Sequence, residues 1–161
     1  MIRPATKDDA QAIARIYNHY VLNTVVTFEE QAIPASEVAR RMDKVFTASL
    51  PYLVTLQDDR IAGYAYAAPW HDRSAYRYSV ETTVYLDAGV VGKGLGSALY
   101  RTLLEKLKEK RLHVAIGGIA IPNPASVALH EKLGFKKVAH YTEVGFKFDR
   151  WIDVGHWQCL P

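Results

Sequence analysis

Only one cysteine, Cys159, occurs in the 161 residues, which excludes an intrachain disulfide and any metal site built on clustered cysteines. Its ordinary place is as a small residue in a terminal strand. No apolar run approaches the ~18 residues a helix needs to cross a bilayer, and the N-terminus lacks the apolar core of a secretory leader. The expectation is a cytoplasmic protein without a membrane partner. Neither charge is in excess: 20 Lys and Arg against 17 Asp and Glu leave +3 at pH 7. That mild surplus suits small anions, but there is no basic stripe of the kind nucleic-acid binders carry, so no nucleic-acid partner is expected. Repeats and low-complexity runs are missing too. What remains is ordinary for a globular chain, 49% hydrophobic and 23% charged. Its length makes one domain, residues 1–161, able to bury a core unaided.

Within that frame, helix-period and strand-period segments follow one another. Residues 2–5 read as a short strand, and Thr6 to Asp9 as a capping box that opens a helix with Ile13, Ile16, Tyr17 and Tyr20 on one face. Residues 22–33 are irregular. Pro34 to Glu37 start a second helix whose apolar side carries Val38, Met42, Val45 and Phe46. Residues 52–56 and 61–67 flank the turn Gln57-Asp58-Asp59-Arg60 as an antiparallel hairpin. A strand over 78–86 leads through a glycine-rich stretch to a helix from Ser97 to about Lys110, with Leu99, Leu103 and Leu107 four apart. Residues 114–121 form an almost unbroken apolar run, as in a strand covered on both faces. Asn123-Pro124 gives an N-cap and a first-turn proline for a helix ending at Gly134. Strands near 137–144 and 151–158 complete the chain. This order predicts an α/β domain, a mixed central sheet of about seven strands with helices on both faces.

The most informative stretch is Val90-Val91-Gly92-Lys93-Gly94-Leu95-Gly96-Ser97, between a strand and a helix. Unpaired N–H groups and the helix dipole favour an anion there, and glycine lets the main chain approach it closely. The bound group is expected to be a phosphate or pyrophosphate. A P-loop needs about four residues between its first glycine and the Gly-Lys pair, yet only two separate Gly89 from Gly92-Lys93. A dinucleotide fingerprint wants a third glycine, where Ser97 stands, and an acidic residue about twenty positions on, where Gly117-Gly118 is found. The third pattern, the acyl-coenzyme A loop of the GNAT N-acetyltransferases, resembles Val91 to Gly96, with Val91 where Gln or Arg is usual.

The whole chain is similar to that family, and within it to the phosphinothricin and methionine-sulfoximine N-acetyltransferases. The resemblance is carried by Ile16-Tyr17-Asn18-His19-Tyr20-Val21, Thr27-Phe28-Glu29, Val80-Glu81-Thr82-Thr83-Val84-Tyr85, Leu129-His130-Glu131-Lys132-Leu133-Gly134-Phe135, and Trp151-Ile152-Asp153-Val154-Gly155-His156-Trp157-Gln158. It implies a GNAT fold and acetyl transfer from acetyl-CoA to the amino group of a small amino-acid-like substrate, without a metal. It further implies that the backbone of Val84, Tyr85 and Leu86 bonds the pantetheine arm. Gly92, Lys93, Gly94, Leu95, Gly96 and Ser97 then cradle the pyrophosphate, with Asn123 and Lys132 beside the coenzyme. Asn123 serves equally as a plain helix cap, and Lys93 as a solvated loop lysine. A homodimer is expected, with Trp151, Trp157 and Phe148 in the core and subunit interface.

Amide formation from a thioester needs a neutral amine, whereas an α-amine is largely protonated at neutral pH. Glu81 is the candidate general base: it interrupts an apolar, Thr-rich strand, where partial burial would raise its pKa. The alternative is a structural carboxylate paired with Arg73 or Arg77. A tyrosine often follows the Leu-Gly pair in this subfamily, but Phe135 cannot donate a proton to the departing thiolate. His130 and Tyr141 are substitutes for that acid; His130 as a structural histidine is the competing view. Arg73 and Tyr76, just before Glu81, suit a substrate carboxylate, and Phe28 and Glu29 suit a pocket wall with a polar head. Two rival functions remain open. One is acetylation of another amine, such as a polyamine or a peptide N-terminus; the other is a non-catalytic acyl-CoA sensor.

Overall fold

The computed structural model describes residues 1–90 and 93–161; Val91 and Gly92 lie outside the described residues. Seven strands form one sheet: β1 (Ile2–Pro4), β2 (Tyr52–Gln57), β3 (Arg60–Pro69), β4 (Ser79–Leu86), β5 (Val114–Ile121), β6 (Lys136–Lys147) and β7 (Arg150–Cys159). Their spatial order is β1-β2-β3-β4-β5-β7-β6. Only β4 and β5 run parallel, and every other neighbouring pair is antiparallel.

Helices α1 (Ala10–Asn23) and α2 (Ala35–Thr47) cover one face, and α3 (Leu95–Glu109) and α4 (Pro124–Lys132) the other. Under the first pair, Ile13 and Ile16 meet Val38, Met42 and Val45 over Tyr52, Val54 and Tyr64. Phe46, assigned to the apolar side of α2, is instead exposed at that layer's rim, against Tyr52. Under the second pair, Leu99, Leu103 and Leu107 are fully buried against Leu53, Ala65, Ala67, Val80 and Ala115.

Local chemistry sets the joints. Asp9 accepts from the Thr6 N–H at 2.8 Å and from both Arg3 guanidinium nitrogens at 2.8 and 2.9 Å, which fixes the entry to α1. The hairpin turn shrinks to Asp58 and Asp59, both left-handed at φ 50° and 59°. That two-residue geometry matches strand twist, so β2 and β3 extend into the four-residue turn read from the sequence. The C-terminal aromatics divide: Trp157 is buried in the core, whereas Trp151 and Phe148 are exposed on the outer hairpin.

Candidate functional site

β4 and β5 are in register only from Ser79 to Glu81 and from Val114 to Ile116. Beyond that point they part, because β4 stays paired with β3 as far as Leu86 while β5 follows β7 as far as Ile121. Two strand edges then face one another with main-chain groups unused by the sheet, an arrangement that an extended amide-bearing ligand can satisfy. At the apex, Thr82 Oγ1 lies 3.4 Å from the Ile116 carbonyl. A cavity of about 530 Å³ opens below it. Its lining brings together Val84, Tyr85, Leu86, Gly94, Gly96, Ser97, Asn123 and Lys132, together with Tyr20, Ser126 and Leu129. Tyr20 donates to the Leu86 carbonyl at 2.5 Å, so at Leu86 that acceptor is already taken.

The far end of this cavity suits an anion. Gly94 sits at the α3 N-cap with φ 77°, a left-handed conformation that glycine adopts without strain. The first helical bond runs from Ala98 N–H to Gly94 O at 3.2 Å. The N–H groups of Leu95, Gly96 and Ser97 thus precede the helical ladder. Lys93 is exposed beside them. Asp87 braces the loop by accepting from Gly89 N–H at 3.1 Å and pairing with Arg15, whose guanidinium holds its carboxyl below the usual range. Gly92, assigned to the same cradle, lies outside the described residues. Free strand edges, a left-handed glycine and bare helix N–H groups fit a pantetheine-pyrophosphate chain. Asn123 Oδ1 accepts from Ser126 N–H at 3.2 Å, so its capping role is realised at the cavity wall.

Glu81 lies where the strands begin to part, on the face opposite the Val80 and Thr82 core. It is exposed rather than partly buried, which corrects the expectation of a desolvated carboxylate. Among the described residues, neither arginine offered as its partner forms an ion pair with it. Arg77 donates to Ser74 O at 3.0 Å and lies over the Tyr78 ring, and Arg73 lines a separate cavity of about 540 Å³ with Arg77 and Lys110. Thus Arg73, assigned to the substrate carboxylate, is not brought together with Glu81. Above Gly118, a Cβ would lie 3.4 Å from His156 Nε2 and 4.0 Å from Glu81 Oε1, so carboxylate and imidazole frame one small space. An edge-to-face aromatic row continues from there: Tyr141 on His156 (5.4 Å), His156 on Trp70 (5.5 Å), and His71 on Tyr76 (5.1 Å), with His71 also tilted on Trp70 at 4.6 Å.

Glu29 pairs with Arg41 at 2.6 Å and keeps Oε2 buried without a partner. Burial raises the Tyr66 hydroxyl pKa against the pull of Thr83, and the charges of Glu81 and Glu29 raise it further. Phe28 packs on Gly145 of β6, across the cleft from the helix it follows.

His130 is buried and bonded at both ring nitrogens. Ser126 O can only accept, so Nδ1, 2.7 Å away, carries the proton. Nε2 is then a bare acceptor for the Tyr100 hydroxyl at 3.1 Å, and Tyr100 meets Thr82 Oγ1 at 2.5 Å. Burial lowers the His130 pKa, with Ser126 opposing. A neutral ring without a proton at Nε2 is an acceptor, so the geometry reverses the acid role read from the sequence. Phe135 packs on both His130 and Tyr100, in the core.

Sequence reasoning passed over Trp70, His156, Arg41 and Tyr66. His156 and Trp70 stand inside stretches whose neighbours were weighed, but only strand pairing puts them beside Glu81. Arg41 had a signal in its spacing from Glu37, which it meets at 3.0 Å. Among the described residues no cluster of three or more His, Cys, Asp or Glu could hold a metal, and no helix is long and apolar enough to cross a membrane.

A sheet split beside a glycine-capped helix defines an acyl-coenzyme A transferase architecture, and the comparisons agree. The acetyltransferase (GNAT) domain family matches residues 2–156. A phosphinothricin N-acetyltransferase from Streptomyces coelicolor is 39% identical, covering 98% of this chain and 94% of that protein. A methionine sulfoximine/methionine sulfone acetyltransferase from Salmonella typhimurium is 35% identical over 95% of this chain and 90% of its own. Among solved structures, a ribosomal-protein-alanine N-acetyltransferase from Brucella melitensis superposes with a TM-score of 0.97 at 33% identity, covering 100% and 99% of the two chains. A phosphinothricin acetyltransferase from Sinorhizobium meliloti in complex with acetyl-CoA gives 0.96 at 35%, covering 99% and 87%. The chain belongs to the GNAT acetyltransferase family. It is an N-acetyltransferase.

Proposed function

We propose that this protein acetylates the α-amino group of a small amino-acid analogue of the phosphinothricin, methionine sulfoximine or methionine sulfone type, a detoxifying reaction in the cytoplasm. The observation that carries the reading is the parting of β4 and β5 directly after Glu81, which sets a carboxylate at the apex of the cleft. Acetyl-CoA, when bound, supplies the acetyl group as a thioester. Val84 and Tyr85 hold it by their main chain, Gly94 to Ser97 receive its phosphates, and Asn123 and Lys132 line its flank. Glu81 takes the proton from the acceptor's ammonium, directly or through one water, in the space above Gly118. His156 and Trp70 wall that space, with Tyr76 and Phe28 further out, and Glu29 is held behind them by Arg41. Arg73 reaches an acceptor carboxylate only if its loop moves. His130 joins as a hydrogen-bond acceptor, fixed by Ser126, that holds Tyr100 and Thr82 at the apex.

A second acceptor class, a peptide N-terminus, is favoured by the likeness to the Brucella enzyme. The two are separated by thiol release with methionine sulfoximine, methionine sulfone and phosphinothricin against a short alanyl peptide: faster turnover of the peptide would replace the amino-acid reading. We further propose a homodimer through the outer hairpin of β6 and β7. There Val138, Val144 and Phe146 on the edge strand β6, Phe148 in the turn and Trp151 on β7 are all exposed.

A further inference from the structure

Lys147, the last residue of β6, is 1% exposed, yet its ammonium is bonded to neutral groups. It donates to the Val21 carbonyl at 2.7 Å and the Thr27 carbonyl at 2.8 Å, and the Phe148 ring lies 5.2 Å from it. Burying an ammonium is costly, and it persists only where its donors are well used. Burial pulls its pKa down, while the more distant charges of Glu30 and Glu29 pull it back. Val21 lies in the last turn of α1, where carbonyls have no helical partner and the dipole favours a cation. Thr27 lies in the segment 24–33, which carries Phe28 and Glu29.

That segment joins the two halves of the molecule. On the α1–α2 side, Thr27 Oγ1 meets the Tyr17 hydroxyl at 2.8 Å, Asn18 exchanges bonds with Ile33 at 2.8 and 2.9 Å, and Glu29 pairs with Arg41. On the far side of the cleft, β6 holds it by Lys147 and by Gly145, where any Cβ would overlap the Phe28 ring. The bulge between Tyr141 and Gly145 turns β6 toward it.

We propose that Lys147 is a positioning residue for the acetyl acceptor: it latches segment 24–33 across the cleft, so that Phe28, backed by the Glu29–Arg41 pair, stands as the acceptor-site wall. This rests on the acceptor reading above. The coenzyme cavity is lined by other residues, Val26 alone coming from this segment, so a released latch acts on the acceptor far more than on acetyl-CoA.

The test compares wild type with Lys147→Met, Lys147→Arg and Gly145→Val, the last dislodging Phe28 without leaving carbonyls unpaired. Both substrates are varied, and amide hydrogen exchange is followed across 24–33. Expected are a rise of about tenfold in acceptor KM for Lys147→Met and Gly145→Val, partial recovery in Lys147→Arg, and acetyl-CoA KM within about twofold. Exchange across 24–33 should accelerate in the first two. A parallel rise in both KM values, or a lower melting temperature with acceptor KM unchanged, overturns the proposal. If wild type acetylates no amine, the acceptor reading fails separately. Exchange then still decides the latch: faster exchange supports it, and unchanged protection overturns it.

Discussion

At the scale of single residues, Glu81 and His130 show how environment divides two titratable groups that the sequence presents alike. Glu81 is exposed at the cleft apex, and Gly118 leaves the space in front of it open. Glu81→Gln should lower kcat about a hundredfold or more while acetyl-CoA binding, expected near micromolar or about −8 kcal/mol, is kept; a dissociation constant and a kcat for the variant check this. His130 is sealed and neutral. Its pKa lies below the ordinary 6.5 because burial opposes the charged ring, so the unfolded chain takes up a proton that the folded one refuses. This stability is present above about pH 6.5 and is lost as pH falls through the depressed folded value. Melting temperature should therefore fall more steeply below neutral pH in wild type than in His130→Gln; equal slopes would contradict the assignment. Glu81 was legible because a carboxylate is rare in such a strand. The bare Nε2 of His130 was not, since its tautomer depends on the Ser126 carbonyl one helical turn away.

At the scale of elements, periodicity carried most of the reading. Helix α3 declares itself through Leu99, Leu103 and Leu107, all fully buried, and β5 through its unbroken apolar run. Leu103→Ala should cost about 3 kcal/mol in chemical denaturation, because a side chain packed on Ala65, Ala67 and Ala115 leaves a cavity that little can fill. The buried chain Thr82–Tyr100–His130 is tested by Tyr100→Phe, which strands two polar partners and should cost about 1–3 kcal/mol. Elements were misjudged where a local feature overrode period. Two left-handed aspartates tightened the β2–β3 turn, and a bulge let β6 run to Lys147. The irregular segment 24–33 carries no period at all; its form comes from Tyr17, Asn18, Arg41 and Lys147, which are distant in sequence.

At the scale of the whole molecule, the site exists because strands remote in sequence part. Ser79 to Glu81 and Val114 to Ile116 hold the apex, β3 and β7 pull the two edges away, and α3 closes the far end with its bare N–H groups. No spacing along the chain announces that divergence. The order of elements gave a mixed sheet, and the resemblance to the GNAT enzymes supplied the cleft. The exposed hairpin of β6 and β7 belongs to this scale too. Trp151, 64% exposed, lies 4.8 Å from the Phe146 ring at the sheet edge. Sedimentation should show a dimer for wild type and a monomer for Trp151→Glu; a monomeric wild type would remove the dimer from the account.

The central claim is that acetyl transfer to an amino-acid analogue takes place at the apex of the cleft beside Glu81. Thiol release from acetyl-CoA with methionine sulfoximine, methionine sulfone and phosphinothricin, run in parallel on wild type and Glu81→Gln, tests it most directly. The account predicts rapid release by wild type with at least one of the three, and a loss of about a hundredfold in the variant with coenzyme still bound. Release that is as fast in Glu81→Gln, or confined to peptides and polyamines, would contradict it.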